Sequence, residues 1–249
     1  MKATKGVMKA TEAERPTPAI NRNDFANGAE LAKALAGTVA GALAEAIAAR
    51  GKATLAVSGG STPKRFFEAL SQQPVDWDRV TITLIDERLV PADHERSNHR
   101  LASEYLLTHL AAKARFVPLY SDAADADQAA RTAAARIDGL GLPLDVAILG
   151  MGTDGHTASF FPNGSTLDLA TDPACPHSVI AIEAPGAGEP RLTLTLPRIV
   201  EAGLLLLHIE GAEKQAVLEK ALEPGPADDM PVRAVLRGAR KPLEIYWAP

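Results

Sequence analysis

The chain has 249 residues, of which 46% are hydrophobic and 23% charged, a globular composition with room for one large domain or two small ones. Its formal net charge is -5 and its aromatic content 4%. It therefore lacks both the basic footprint of a nucleic-acid binder and the ring platforms that stack single strands. A single cysteine, Cys175, excludes an internal disulfide and gives no sign of an oxidising compartment.

Residues 1–23 read as a loose tail, polar and of mixed charge, with Pro16 and Pro18 and without the apolar core of a secretory signal. The apolar stretches look shorter than the roughly 20 residues of a membrane span. No membrane partner and a cytoplasmic location are expected. A helix is predicted from Asp24, as its N-cap, through Arg50, with Gly51 ending it.

Short β-rich runs then appear at Ala53–Ser58, Val80–Asp86, Phe116–Tyr120, Asp145–Gly150, Val179–Ile182, Arg191–Leu196, Leu204–Ile209 and Leu243–Trp247. Helical patterns lie at Pro63–Ser71, Ser97–Lys113, Asp125–Ile137 and Glu213–Leu222. Near-continuous apolar strands separated by helices predict an α/β fold, a mostly parallel Rossmann-like sheet with helices on both faces. Only Arg191–Leu196 alternates, which suits an antiparallel or edge strand. There is no internal repeat, linker or charge block, so a single domain over residues 24–249 is expected.

Ligands of open α/β sheets bind beyond the carboxyl ends of the strands, and three unusual segments fall there. Ser58-Gly59-Gly60-Ser61-Thr62-Pro63 puts two glycines and two hydroxyls before a helix, where backbone amides and the helix dipole favour an anion. A tight turn with a plain hydroxyl cap would read the same way. The segment is neither a nucleotide P-loop nor a nucleophile elbow. Asp86-Glu87-Arg88 offers a guanidinium for phosphate, carboxylate or developing negative charge, or else a surface ion-pair cluster.

Gly150 to Gly155 matches G-x-G-x-x-G, but Pro162, Asn163 and Gly164 interrupt where a dinucleotide-binding helix should continue. Asp154-Gly155-His156 is more informative, because a histidine beside an acid in a glycine loop suits a general base. His94 and His99 are five apart, not the four that place two ligands on one helical face. His109, His177 and His208 stand singly. No metal and no cofactor are expected.

Read in order, Ser58–Pro63, Asp86–Pro91 with Ser97–Leu107, and Leu149–Pro162 resemble the 6-phosphogluconolactonases, which share a fold with glucosamine-6-phosphate isomerase/deaminase. Pro190–Thr195 and Ile209–Lys214 fit too. The deaminase relatives resemble the chain in the first loop and in D-G-H. They carry a glutamate five residues after that histidine, where this chain has Phe161, and typically a tyrosine at the position of Arg88. Both departures favour the lactonase.

The resemblance implies hydrolysis of 6-phospho-D-glucono-1,5-lactone, a phosphorylated sugar lactone, with His156 as the base. Asp154 or Asp86 would orient the imidazole, and Arg88 would stabilise the oxyanion or bind sugar oxygens. The phosphate would sit on Gly59, Gly60, Ser61 and Thr62, with charge from Arg191 and Lys214. Asn98 belongs to the matched segment without an assigned role. The alternatives are a deaminase-like isomerase, a non-catalytic sugar-phosphate sensor on the same fold, or an NAD-dependent oxidoreductase. Nothing in the sequence sets an oligomeric state, and a monomer is the default.

Overall fold

The structure, a computed structural model, describes residues 19–249 apart from 142 and 186. In chain order the elements are β1 (Ile20–Asp24), α1 (Gly28–Arg50), β2 (Ala53–Val57), α2 (Lys64–Ser71), β3 (Val80–Leu84), β4 (Asp86–Arg88), α3 (Asn98–Tyr105), β5 (Arg115–Val117), α4 (Ala126–Asp138), β6 (Val146–Leu149), α5 (Leu167–Thr171), β7 (Val179–Ile182), β8 (Arg191–Leu194), α6 (Leu196–Val200), β9 (Leu204–Glu210), α7 (Ala212–Leu222), α8 (Val232–Gly238) and β10 (Leu243–Ala248).

Seven strands form one sheet in the order β1-β10-β9-β6-β2-β3-β5, every pair parallel. Successive side chains of a strand point to opposite faces, and all five residues of β2 are buried, so both faces are covered there. The chain runs from β2 outward through β3 to β5, then returns to the other side of β2 and continues through β6, β9 and β10. The loops after β2 and β6 therefore diverge at a topological switch point, which opens a crevice.

Several expectations are corrected. Asp24 ends β1 rather than capping a helix. The cap of α1 is Asn27, whose Oδ1 accepts from the backbone N–H of Ala29 and Glu30 at 3.1 and 2.9 Å. The tail assigned to residues 1–23 ends too late. Ile20–Asp24 is a sheet strand on β10, where the Asn21 and Asn23 amides donate to Glu244. The rest of that tail, residues 1–18, lies outside the described residues.

By length and composition α1 could cross a membrane, contrary to the sequence reading. Its Leu31, Leu35, Val39 and Leu43 are wholly buried in the core. The helix expected over Ser97–Lys113 stops at Tyr105. His109, at φ 47°, starts a separate 3-10 turn.

The run Val80–Asp86 breaks at Ile85, which joins two sheets. Its N–H donates to Val57 O at 2.9 Å, while its carbonyl accepts from Leu194 N at 2.8 Å. Beyond it the chain enters a second, three-stranded antiparallel sheet, β4-β8-β7. The alternating strand β8 is antiparallel, as its pattern predicts. The same topology carries Asp86–Arg88 out of the main sheet and over its carboxyl edge.

Candidate active site

The three loops and two later segments line one cavity of about 360 Å³. Gly59, Gly60, Ser61, Thr62, Asp86, Arg88, Asn98, His156, Arg191 and Lys214 all face it. Asp154 holds His156 from outside this lining.

The glycine loop leaves β2 with Ser58 N–H donating to Ile148 O at 3.1 Å, so it starts beside β6. Gly60 sits at φ 100°, a conformation that L side chains rarely adopt. Gly59 packs against the Asn98 amide, and a methyl at Gly59 would overlap Asn98 Oδ1. At the other end of the loop the Lys214 ammonium donates to Thr62 Oγ1 at 3.1 Å. Burial pushes the Lys214 amine below its ordinary value, with Glu210 and Glu213 acting the other way.

His156 is fixed from several directions. Its Nδ1 lies 2.5 Å from Asp154 Oδ1, and the same oxygen accepts its backbone N–H at 3.0 Å. Gly152 N–H closes the turn on His156 O at 2.9 Å, and a methyl at Gly152 would strike the imidazole. The ring of Phe161 lies against it with centroids 4.4 Å apart. An ionised carboxylate only accepts, so Nδ1 carries a hydrogen, and in the neutral ring Nε2 is the nitrogen with the lone pair. The imidazole hydrogen bond holds the Asp154 carboxyl below its ordinary range. No helix opens at Gly155, and the next, α5, begins only at Leu167, which argues against a dinucleotide loop there.

Of the two candidate carboxylates, Asp154 is the one bonded to the imidazole. Asp86 is engaged elsewhere. Its Oδ2 accepts from Ser159 Oγ at 2.6 Å, and its carbonyl accepts from Asn98 Nδ2 at 2.8 Å.

Arg88 and Arg191 are cross-strand partners of β4 and β8. Arg88 donates to Arg96 O, and Arg191 to Ala187 O at 2.6 Å with its guanidinium over the Phe161 ring. The Nε of each is buried without a partner. The charges acting on Arg191 are Arg88, Asp86, Glu189 and Arg96, whereas those on Lys214 are Glu210 and Glu213. Arg191 and Lys214, which the resemblance implies act together on the phosphate, both line the cavity, Arg191 opposite Arg88 in the second sheet and Lys214 beside Thr62.

Two contributors escaped the sequence reading. His208, 3% exposed, lines the cavity with its Nε2 3.1 Å from Glu210 Oε1. Its place near the carboxyl end of an apolar parallel strand was the available signal. Ser159 follows the His156 loop and had none.

A family model described as glucosamine-6-phosphate isomerases/6-phosphogluconolactonase matches residues 26–247. The chain is 58% identical over 229 residues to a 6-phosphogluconolactonase of Rhizobium meliloti (strain 1021), covering 92% of this chain and 99% of that one. It is 52% identical over 229 residues to a 6-phosphogluconolactonase of Mesorhizobium japonicum, covering 92% and 95%. Among solved structures, a 6-phosphogluconolactonase from Shewanella baltica superposes with a TM-score of 0.90 at 38% identity, covering 94% of this chain and 99% of that one. The chain belongs to the glucosamine-6-phosphate isomerase/6-phosphogluconolactonase family.

Proposed function

We propose that this protein hydrolyses 6-phospho-D-glucono-1,5-lactone to 6-phospho-D-gluconate, in the cytoplasm and without a metal or cofactor. The observation that carries the reading is that His156, held by Asp154, lines one cavity together with the glycine loop and Lys214. The relatives at 58% and 52% identity bear the same activity in their names.

His156 Nε2 takes a proton from a water molecule, whose oxygen bonds to the lactone carbonyl carbon. Asp154 keeps the imidazole in the required tautomer and balances its positive charge. The carbonyl oxygen becomes an oxyanion facing the guanidinium groups of Arg88 and Arg191, which line the cavity. Collapse breaks the bond from that carbon to the ring oxygen, which leaves as a hydroxyl with the proton held by His156. Gly59, Gly60, Ser61 and Thr62, with Lys214, hold the phosphate.

The deaminase alternative needs an acid where this chain places Phe161, a ring tilted against His156. The deciding experiment follows lactone loss above its spontaneous hydrolysis, with glucosamine-6-phosphate deamination assayed beside it. Lactone turnover without deamination is expected, and the reverse result overturns the proposal.

A further inference from the structure

Behind the cavity lies a carboxylate that lines no part of it. Along β4 the side chains alternate, with Asp86 and Arg88 toward the cavity and Glu87 away, 0% exposed. Its Oε1 accepts from Arg88 N and Asn98 N, both at 2.8 Å. Its Oε2 accepts from His99 N at 2.8 Å and Ser97 Oγ at 3.1 Å. Asn98 and His99 open α3, and Ser97 Oγ in turn accepts Arg100 N at 3.2 Å. The first orphan donors of α3 thus end on a side chain from another element, with the cap taking the next.

The connection continues into the site. Asn98, the first residue of α3, donates from Nδ2 to Asp86 O, and its amide fills the space that only a glycine at position 59 leaves open. Glu87 therefore ties Arg88 and Asn98 together from behind, and Asn98 backs the glycine loop.

We propose that Glu87 is a positioning residue that sets the register between Arg88, Asn98 and the glycine loop, and with it the preference for a phosphorylated over an unphosphorylated lactone. This rests on the lactonase reading. Glu87→Gln keeps the volume but turns one acceptor oxygen into an amino group facing N–H donors. The expected result is a fall of about 10–100-fold in kcat/KM on 6-phosphogluconolactone, the scale of a small misplacement in an active site. The loss on unphosphorylated gluconolactone is smaller, so the ratio of the two values drops about tenfold.

A residue that only stabilises the fold changes the amount of active enzyme, which multiplies both rates equally. An unchanged ratio therefore overturns the proposal. Glu87→Asp, one methylene shorter with the charge kept, is read in the same way. Failure of both variants to fold, judged by circular dichroism, also overturns it. Wild-type protein in the same assay separates the two ideas, because no turnover of either lactone sinks the lactonase reading instead. Calorimetry with inorganic phosphate then decides on Glu87, a tenfold weaker Kd in Glu87→Gln supporting the positioning role and an equal Kd ending it.

Discussion

Arg88 and Arg191 stand directly opposite each other in the antiparallel ladder of β4 and β8, two cations in register with a buried, unpartnered Nε apiece. Like charges directly opposite across a ladder cost stability, and burial and Arg88 both lower the Arg191 pKa. An arrangement kept at that cost suits oxygens of a bound substrate.

Replacing either arginine should accordingly separate stability from activity. For Arg191→Met we expect a Tm at or above wild type by calorimetry. Its kcat/KM should fall roughly 10–150-fold, the worth of a charged hydrogen bond, on phosphorylated and unphosphorylated lactones alike. A clear drop in Tm would show that the pair stabilises the fold, and a loss confined to the phosphorylated substrate would return Arg191 to the phosphate.

Lys214→Met should behave in the opposite way. It removes the ammonium beside Thr62, so KM for the phosphorylated lactone should rise roughly 10–150-fold, with little change on the unphosphorylated one. Because burial lowers the Lys214 pKa, its proton is lost before the ordinary lysine value of 10.5 is reached. The affinity for 6-phosphogluconate should weaken over that interval as pH rises. In Lys214→Met this decline should be absent, and isothermal titration across the pH range reads both.

The parts of the fold that were legible in the sequence are those buried on both faces. β2 and β6 are apolar at nearly every position because all of each strand is buried, and β9 is buried at all but its two ends. β1 was illegible for the converse reason. As an edge strand of sequence INRND it is held by backbone pairing and by asparagine bonds to Glu244, which leave no apolar signature. The exit of Asp86–Arg88 from the main sheet was hidden because Ile85 looks like one more strand residue. The loops of the site could be read from their glycines, hydroxyls and D-G-H triplet. The partners of Arg191 could not, because register between distant strands is set by the second sheet. Glu87 was read only as part of a charged triplet, since α3, which buries it, folds back from later in the chain.

The Asp154–His156 pair leads to a prediction about pH. Asp154 titrates below its ordinary value of 3.8, so its bond to the imidazole is fully present above that value and is lost as pH falls through the lowered one. Across the whole working range the carboxylate stays ionised. The acid limb of kcat/KM should then fit the uptake of a single proton, none of it taken by Asp154. A limb that requires two would mean that Asp154 titrates as well. His156→Ala should lower kcat by about 10²–10⁴-fold, the usual worth of a general base, with Tm nearly unchanged.

Gly152→Ala tests the same geometry without touching a titratable group. The added methyl would stand where the imidazole now lies, so the ring must move. A displacement of this kind costs on the order of 100-fold in kcat, and the pH profile should keep its shape. Unaltered kcat would mean that the ring position seen beside Asp154 is not the one used in turnover.

The placement of β1 bears on how the chain reaches this structure at all. Among the described residues its one neighbour in the sheet is β10, with Ile20 opposite Leu243. During synthesis, residues 20–24 emerge early and have no strand to join until more than 200 later residues have been made, a separation that slows pairing through loop entropy. For that interval their backbone donors and acceptors face water or other chains, and polar asparagines and an arginine there discourage the wrong partner. Loss of β10 by truncation would strip β1 of its place and reopen the edge of β9. Damage at residue 243 would thus be felt at residue 20.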